Sequence, residues 1–277
     1  MIKLGRNRQW ANSKETNMTK SLRWGILGTG NIAAKFADQL NKASHGELVA
    51  NGSRNQSSAD QFAQQHGGKG YGSYEGLLTD PDVEAIYVSL PNSLHAPWSV
   101  AGLEAGKHVL CEKPLAATTA EVEQMFAAAD ATGMKLMEAF MYRQHPVVKE
   151  VLGELHGGMI GNIKIIRSHF TYQRADSSED IRYQPKLGGG GLLDVGCYCL
   201  NFMRAIAGAE PESMQVHTHQ HQTGVDDVAV GTLKFPNGIL GVFSCGMTVQ
   251  ADRTTTVAGS DGYLQIDTPW FSDGSYQ

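Results

Sequence analysis

Three side chains that can act on a hydroxyl group stand out because of their setting in the sequence. Lys113 lies in the stretch AGKHVLCEKP, directly after an apolar run of strand length. Asp194 and Tyr198 follow four consecutive glycines, Gly188–Gly191, and their i, i+4 spacing predicts that they project from one helix face. A lysine can anchor a hydroxyl and shift the pKa of a neighbouring base. For Tyr198 the alternative is a buried tyrosine whose hydroxyl group is satisfied.

A glycine-rich loop near the start of the chain is typical of dinucleotide binding. The motif GTGNIA joins an apolar strand, Leu22–Leu27, to a helical pattern from Asn31 to Leu40. The first glycine permits a tight turn, the second lets the backbone approach a pyrophosphate, and the helix N-terminus favours the phosphates. We therefore expect cofactor contacts from five residues: Gly28, Thr29, Gly30, Asn31 and Ile32.

The end of the second predicted strand favours NADP over NAD. NAD sites usually place a carboxylate there, whereas this chain continues from Asn51 into Ser53 and Arg54, with no acid before Asp60. A guanidinium binds phosphate well, and a carboxylate would repel it. A solvated loop arginine is the alternative interpretation of Arg54.

The elements that must position these residues alternate between strand and helix over residues 22–142. Their strands are continuously apolar, which predicts a doubly wound parallel sheet covered on both faces, a Rossmann-type α/β domain. Within it, Thr118 and Glu121 form a capping box for a helix that ends at Gly133. Loops after two other strands place Leu90, Pro91, Asn92, His95, Glu112 and Lys113 at the carboxyl edge, where such folds bind ligands.

The pattern changes after Pro146, and residues 143–277 predict an α+β domain with a large mixed or antiparallel sheet. Helices come only from Val147 to Ala207, so one face of the sheet is expected to stay open. An open sheet face of this size is typical of a subunit contact, which predicts a homo-oligomer, most simply a dimer. This domain would bind the substrate and form the oligomer.

The amino-acid composition limits the classes of function that the chain can have. The 277-residue chain is 41% hydrophobic and 18% charged, with a formal net charge of −5. These values favour a globular protein and neither nucleic acid nor membrane as a partner. Four cysteines without a CxxC pair favour reduced thiols and a cytoplasmic location. The first 21 residues are predicted to be a disordered or non-native tail, with Met18 as a candidate natural start.

Three alternating histidines, His217, His219 and His221, would share one face of a predicted strand. Imidazole is a common metal ligand. Because no carboxylate or cysteine has matching spacing, we predict a polar sheet face or subunit contact here, and no metal.

Together, the motifs resemble the glucose–fructose oxidoreductase/inositol dehydrogenase (Gfo/Idh/MocA) family over roughly residues 22–235. The resemblance rests on GTGNIA, on the PxxxH of Pro91–His95, on AGKHVLCEKP and on GGGLLDVGCY, which begins at Gly189. In many members the last motif ends in histidine. This chain has Tyr198 there, and in this it resembles the branch of dimeric dihydrodiol dehydrogenases and NADP-dependent D-xylose dehydrogenases. The stretch EAFMYR, which ends at Arg143, is similar to that branch as well.

The resemblance implies a role for each matching residue. Lys113 would contact the nicotinamide ribose and the reacting hydroxyl, Glu112 and His95 would lie along the cofactor, and Asp194 would bind substrate hydroxyls. Tyr198 would handle the proton, and Arg143 would line the cleft. Family members usually continue several tens of residues beyond Gln277, so the C-terminal domain is expected either to be a fragment or to lack its last elements.

The sequence therefore predicts an NADP-dependent oxidoreductase that transfers hydride between nicotinamide and a cyclic sugar, such as D-xylose, or a related polyol ring. A trans-dihydrodiol dehydrogenase is the first alternative. The second is a non-catalytic NADP-binding regulator, against which the presence of both Lys113 and Tyr198 argues.

Overall fold

The computed structural model describes residues 21–175 and 179–270, so the predicted tail up to residue 20, with Met18, lies outside the described residues. The described chain divides into two compact units, an N-terminal unit of residues 21–139 and a C-terminal unit of residues 140–270. Each unit has its own sheet and its own apolar core. The predicted domain boundary lies after residue 142.

The N-terminal unit is a six-stranded parallel sheet in the order β3-β2-β1-β4-β5-β6. Its strands are β1 (Leu22–Leu27), β2 (Gly46–Gly52), β3 (Lys69–Tyr71), β4 (Ala85–Val88), β5 (His108–Cys111) and β6 (Leu136–Glu138). Its helices are α1 (Asn31–Leu40), α2 (Gln56–His66), α3 (Tyr74–Leu78), α4 (His95–Glu104) and α5 (Thr119–Thr132). The doubly wound Rossmann prediction is confirmed.

Apolar residues cover both faces of this sheet. On β1, Ile26 belongs to a cluster with Ala37 of α1, while its neighbour Leu27 belongs to a second cluster with Leu103 of α4. The predicted capping box begins α5, where Thr118 accepts from the Glu121 N–H and Glu121 accepts from the Thr118 N–H. The strand order reverses between β1 and β4, which is the point where such sheets open a crevice for ligands.

The C-terminal unit has a mixed six-stranded sheet in the order β12-β11-β7-β10-β9-β8, with only β7 and β10 parallel. Its strands are β7 (Ile163–Thr171), β8 (Ser213–Gln220), β9 (Asp226–Lys234), β10 (Leu240–Gly246), β11 (Thr255–Gly259) and β12 (Tyr263–Ile266). Two helices, α6 (Pro146–His156) and α7 (Cys197–Ala207), accompany it. This confirms the predicted α+β class.

The two faces of this sheet differ. Phe243 and Val257 are fully buried in the core that includes α7. The opposite face carries large apolar side chains that are 39–52% exposed, namely Val230, Leu240, Val242 and Tyr263. The strand register places Tyr263 and Leu240 in one row, with the half-buried Ile165 between them. Across residues 21–175 and 179–270, every helix is too short or too polar to cross a bilayer.

Candidate active site

The glycine-rich loop has the geometry that its sequence predicts. Gly28 has a φ of +106°, and an added Cβ there would lie 2.9 Å from the Ser89 hydroxyl oxygen. Around Gly30 an added Cβ would meet no atom within 4 Å. Because Gly30, Asn31 and Ile32 are exposed at the start of α1, with Thr29 half-buried beside them, their backbone is open to a ligand. The loop therefore fits a dinucleotide cofactor.

Ser53 and Arg54 follow β2 at the same edge. Ser53 is buried and its N–H donates to the Tyr71 carbonyl at 2.9 Å, whereas Arg54 is exposed. Burial raises the pKa of Tyr74, and the nearby positive charge of Arg54 opposes this shift. Arg54 is thus an accessible cation at the end of β2, where NAD sites usually hold an acid.

His95 joins the two other loops at this edge. Its Nδ1 lies 2.7 Å from the Pro114 carbonyl oxygen and its Nε2 lies 2.8 Å from the Leu90 carbonyl oxygen. A neutral imidazole has one N–H, so both contacts are hydrogen bonds only when the ring is protonated. Burial lowers the pKa of His95, and the two carbonyls act in the opposite direction. With 1% exposure, the His95 ring is buried between the two loop carbonyls, while Pro91 and Asn92 are half-buried.

Glu112 and Lys113 come directly after β5. The Tyr87 hydroxyl donates to Glu112 Oε1, and the Lys113 N–H donates to Glu112 Oε2 at 3.1 Å. Tyr87 in turn stacks on Phe36 of α1, with ring centroids 4.0 Å apart. The Glu112 carboxylate is therefore fixed by a strand tyrosine that the sequence analysis did not single out.

In the C-terminal unit, Asp194 lies in a π-helical turn, Leu192–Gly196, which leads into α7. The sequence predicted a regular helix there. Asp194 Oδ2 accepts hydrogen bonds from the Tyr172 hydroxyl and from Arg182 Nε, the latter at 3.1 Å. These contacts make Asp194 an anchored acceptor, as expected for a group that orients hydroxyls.

Tyr198 lies in the first turn of α7 and is 7% exposed. Four rings surround it at centroid distances of 5.2–5.9 Å, namely Phe140, Tyr142, Phe170 and Trp270. Such packing fixes the ring in one orientation. Arg143, from the neighbouring turn Met141–Gln144, is exposed.

The glycine run is explained by two close approaches. A Cβ on Gly189 would lie 2.4 Å from the Arg182 carbonyl oxygen. A Cβ on Gly190, whose φ is +125°, would lie 2.3 Å from Asp226 Oδ1. The other oxygen of Asp226 accepts from the Leu192 N–H at 2.6 Å, and burial raises the pKa of Asp226. Neither Arg182 nor Asp226 carries a local sequence signal, so sequence reasoning missed both.

The three histidines have separate partners. His219 Nδ1 lies 2.7 Å from Asp227 Oδ1, and His221 Nδ1 lies 3.0 Å from the Thr223 hydroxyl, beyond the end of β8. His217 Nε2 lies 3.5 Å from Gln215 Nε2. Within the described ranges, no group of three or more histidine, cysteine, aspartate or glutamate side chains could hold a metal ion.

Comparison with known proteins decides the family. The model of the Gfo/Idh/MocA oxidoreductase family, NAD-binding Rossmann fold, matches residues 22–140, and the model of its C-terminal domain matches residues 148–265. The chain belongs to the Gfo/Idh/MocA family. The resemblance inferred from the motifs and the predicted class, an oxidoreductase, are confirmed.

Individual relatives include dehydrogenases and a ketoreductase. Trans-1,2-dihydrobenzene-1,2-diol dehydrogenase of Bos taurus is 37% identical, over 91% of this chain and 76% of the relative. D-xylose 1-dehydrogenase (NADP(+)) 2 of Haloferax volcanii is 36% identical, over 88% of this chain and 75% of the relative. A 3-ketoreductase from Actinomadura kijaniata, whose crystal structure contains NADP and TDP-benzene, is 33% identical in sequence. The match covers 93% of this chain and 80% of the ketoreductase chain, with a TM-score of 0.86.

Proposed function

We propose that this oxidoreductase transfers hydride between NADP and a carbon that bears a hydroxyl group, on a sugar ring or a related ring diol. The proposal rests on an open glycine-rich loop in the N-terminal unit and on an anchored carboxylate acceptor in the C-terminal unit. The loop at Gly28 and Gly30 fits a pyrophosphate, and Asp194 is held as a hydrogen-bond acceptor. The named dehydrogenase and ketoreductase relatives support the same chemistry.

The choice of NADP rests on Arg54. Its exposed guanidinium follows β2, where an acid would repel a 2′-phosphate. Two of the relatives are described with NADP, one in its name and one in its crystal structure. Besides the glycine-rich loop, the predicted cofactor contacts are Ser53, Leu90, Pro91, Asn92, His95, Glu112, Lys113 and Arg143.

Three residues are proposed to be catalytic. The bound cofactor would supply the nicotinamide ring, which accepts a hydride in the NADP⁺ form and donates one in the NADPH form. Tyr198 takes the hydroxyl proton during oxidation and returns it during reduction, Lys113 anchors the reacting hydroxyl and favours the tyrosinate, and Asp194 orients a substrate hydroxyl. A tyrosine has a pKa of about 10, so it needs a stabilising positive charge such as an ammonium group to act as a base at neutral pH.

The substrate is either a sugar or a ring diol. The polar surroundings of Asp194 favour a sugar, because a charged and hydroxyl-bearing environment suits a ring with several hydroxyls. The dihydrodiol dehydrogenase relatives keep a ring diol as the second candidate.

A substrate panel tests the proposal. Aldoses and ring diols are incubated with NADP⁺ or NAD⁺, and the formation of the reduced cofactor is followed by absorbance. We expect turnover of at least one aldose with NADP⁺ and weaker activity with NAD⁺. NADP binding without turnover of any compound, in either direction, would instead indicate a regulator.

Assembly and location are part of the proposal. The apolar row on the open face of the C-terminal sheet supports a homodimer formed through that face. The four cysteines, all present as thiols, support a cytoplasmic location.

A further inference from the structure

A group of four polar side chains, here called the Asp194 network, lies in the C-terminal unit. It comprises Tyr172, Asp180, Arg182 and Asp194. Arg182 is its centre, because its Nε donates to Asp194 Oδ2 at 3.1 Å and its Nη1 lies 3.3 Å from Asp180 Oδ1. Asp180 Oδ1 also accepts from the Arg182 backbone N–H at 3.0 Å, so one carboxylate holds the arginine at both ends.

The surrounding backbone fixes the same arginine. Arg182 lies in a short 3-10 turn, Ile181–Tyr183, and its carbonyl oxygen accepts from the Gly190 N–H at 2.9 Å. The Gly190 carbonyl in turn accepts from the Asp194 N–H at 2.9 Å. Arg182 is therefore linked to Asp194 through both its side chain and its backbone, and it cannot shift without moving the turn that carries Asp194.

The electrostatics favour a charged Asp194–Arg182 pair. Burial lowers the pKa of Arg182, but the carboxylates of Asp194 and Asp180 outweigh this and raise it above its usual value. Burial and the negative charge of Asp194 both raise the pKa of Tyr172, which keeps its hydroxyl protonated and able to donate. Both donors bind the same oxygen of Asp194, which fixes the plane of the carboxylate.

We propose that Arg182 is a positioning residue that holds the Asp194 carboxylate in one orientation as an acceptor for a substrate hydroxyl beside the reacting one. Through this contact the network selects a ring with adjacent hydroxyls and disfavours its deoxy analogue. A site that is built to bind a hydroxyl discriminates strongly against a compound lacking it, because buried polar groups are then left unpaired. The inference rests on the proposed function.

The test compares kcat and KM of Arg182→Ala and the unmodified enzyme, on the best sugar from the panel and on its deoxy analogue. A hydrogen bond to a charged group is worth about 1.5–3 kcal/mol, so we expect kcat/KM to fall by roughly ten- to a hundred-fold. The preference for the sugar over its deoxy analogue should fall as well. The NADP dissociation constant, measured by fluorescence, should stay the same.

Two further measurements separate positioning from a general loss of structure. Arg182 is 34% exposed, so methylguanidinium can enter the vacated space and should restore the kcat/KM of Arg182→Ala in a saturable manner. Arg204→Gln is the matched control, because it removes an exposed arginine–glutamate pair of the same unit, with Arg204 Nε 2.6 Å from Glu210. It should keep full activity. If Arg182→Ala does not fold, Tyr172→Phe removes the other donor to Asp194 Oδ2 and should weaken the same preference.

The outcomes distinguish the inference from the proposed function. An active wild type whose Arg182→Ala and Tyr172→Phe variants keep both kcat/KM and the preference for the sugar would overturn the inference alone. A wild type that turns over no sugar or diol would overturn the proposed function, and the inference with it.

Discussion

Replacing Gly190 by alanine tests how the glycine run positions the candidate active site. Gly190 has a φ of +125°, a region that L-residues rarely adopt, and its added Cβ would lie 2.3 Å from Asp226 Oδ1. The carboxylate cannot move away freely, because its other oxygen accepts from the Leu192 N–H at 2.6 Å. The substitution therefore strains the backbone and displaces a hydrogen-bonded, partly buried carboxylate.

The magnitude follows from these two effects. Backbone strain costs about 1–3 kcal/mol. Loss of a hydrogen bond to a charged group costs about 1.5–3 kcal/mol more. The sum of roughly 3–6 kcal/mol corresponds to a decrease in Tm on the order of 10 °C for a protein of this size. Because the Asp194 N–H donates to the Gly190 carbonyl, kcat/KM should fall as well.

Thermal unfolding followed by circular dichroism is the assay, and Gly238→Ala is the matched control. Gly238 also has a positive φ, +79°, but a Cβ there would meet no atom within 4 Å, so only the strain applies. We expect a clearly smaller decrease in Tm for Gly238→Ala. Equal decreases for the two variants would refute the role of the Asp226 contact, and an unchanged Tm for Gly190→Ala would refute the whole argument.

Four other predictions concern the cofactor, the chemistry and the assembly. Tyr198→Phe should lower kcat by about 10²–10⁴-fold, as loss of a general acid–base does, with little change in NADP affinity by fluorescence titration; retention of most of the turnover would contradict this assignment. Lys113→Met should lower both kcat and NADP affinity, since Lys113 is proposed to contact substrate and cofactor. A decrease in kcat alone would limit Lys113 to the substrate, and a decrease in NADP affinity alone would limit it to the cofactor. Arg54→Ala should weaken NADP binding by roughly ten- to a hundred-fold and leave NAD binding nearly unchanged, and equal wild-type dissociation constants for the two cofactors would exclude the role of Arg54. Light scattering should show a dimer for the wild type and a monomer for Val242→Asp, which places a charge on the open sheet face; a monomeric wild type would count against the dimer.

Local sequence signals predicted the elements that depend on local physics. The helix Asn31–Leu40 and the strand Leu22–Leu27 agree with the observed bounds, because amphipathic periodicity, apolar runs and glycine breaks act within a few residues. The capping box at Thr118 was predictable for the same reason. In contrast, β3 and α3 were missed, since these short elements each contain a glycine and show neither an apolar run of strand length nor a helical period.

The sequence by itself determined the family, the Rossmann architecture and the residue types at the candidate site, because these lie in contiguous motifs. The tertiary structure decided which side chains hold them. Arg182 reaches Asp194 across 12 positions and Tyr172 across 22, while Asp226 reaches Leu192 across 34. Such contacts depend on how the loops and the sheet edge pack in space. An isolated arginine, tyrosine or aspartate in a polar segment has no periodic or capping signal from which these contacts could be predicted.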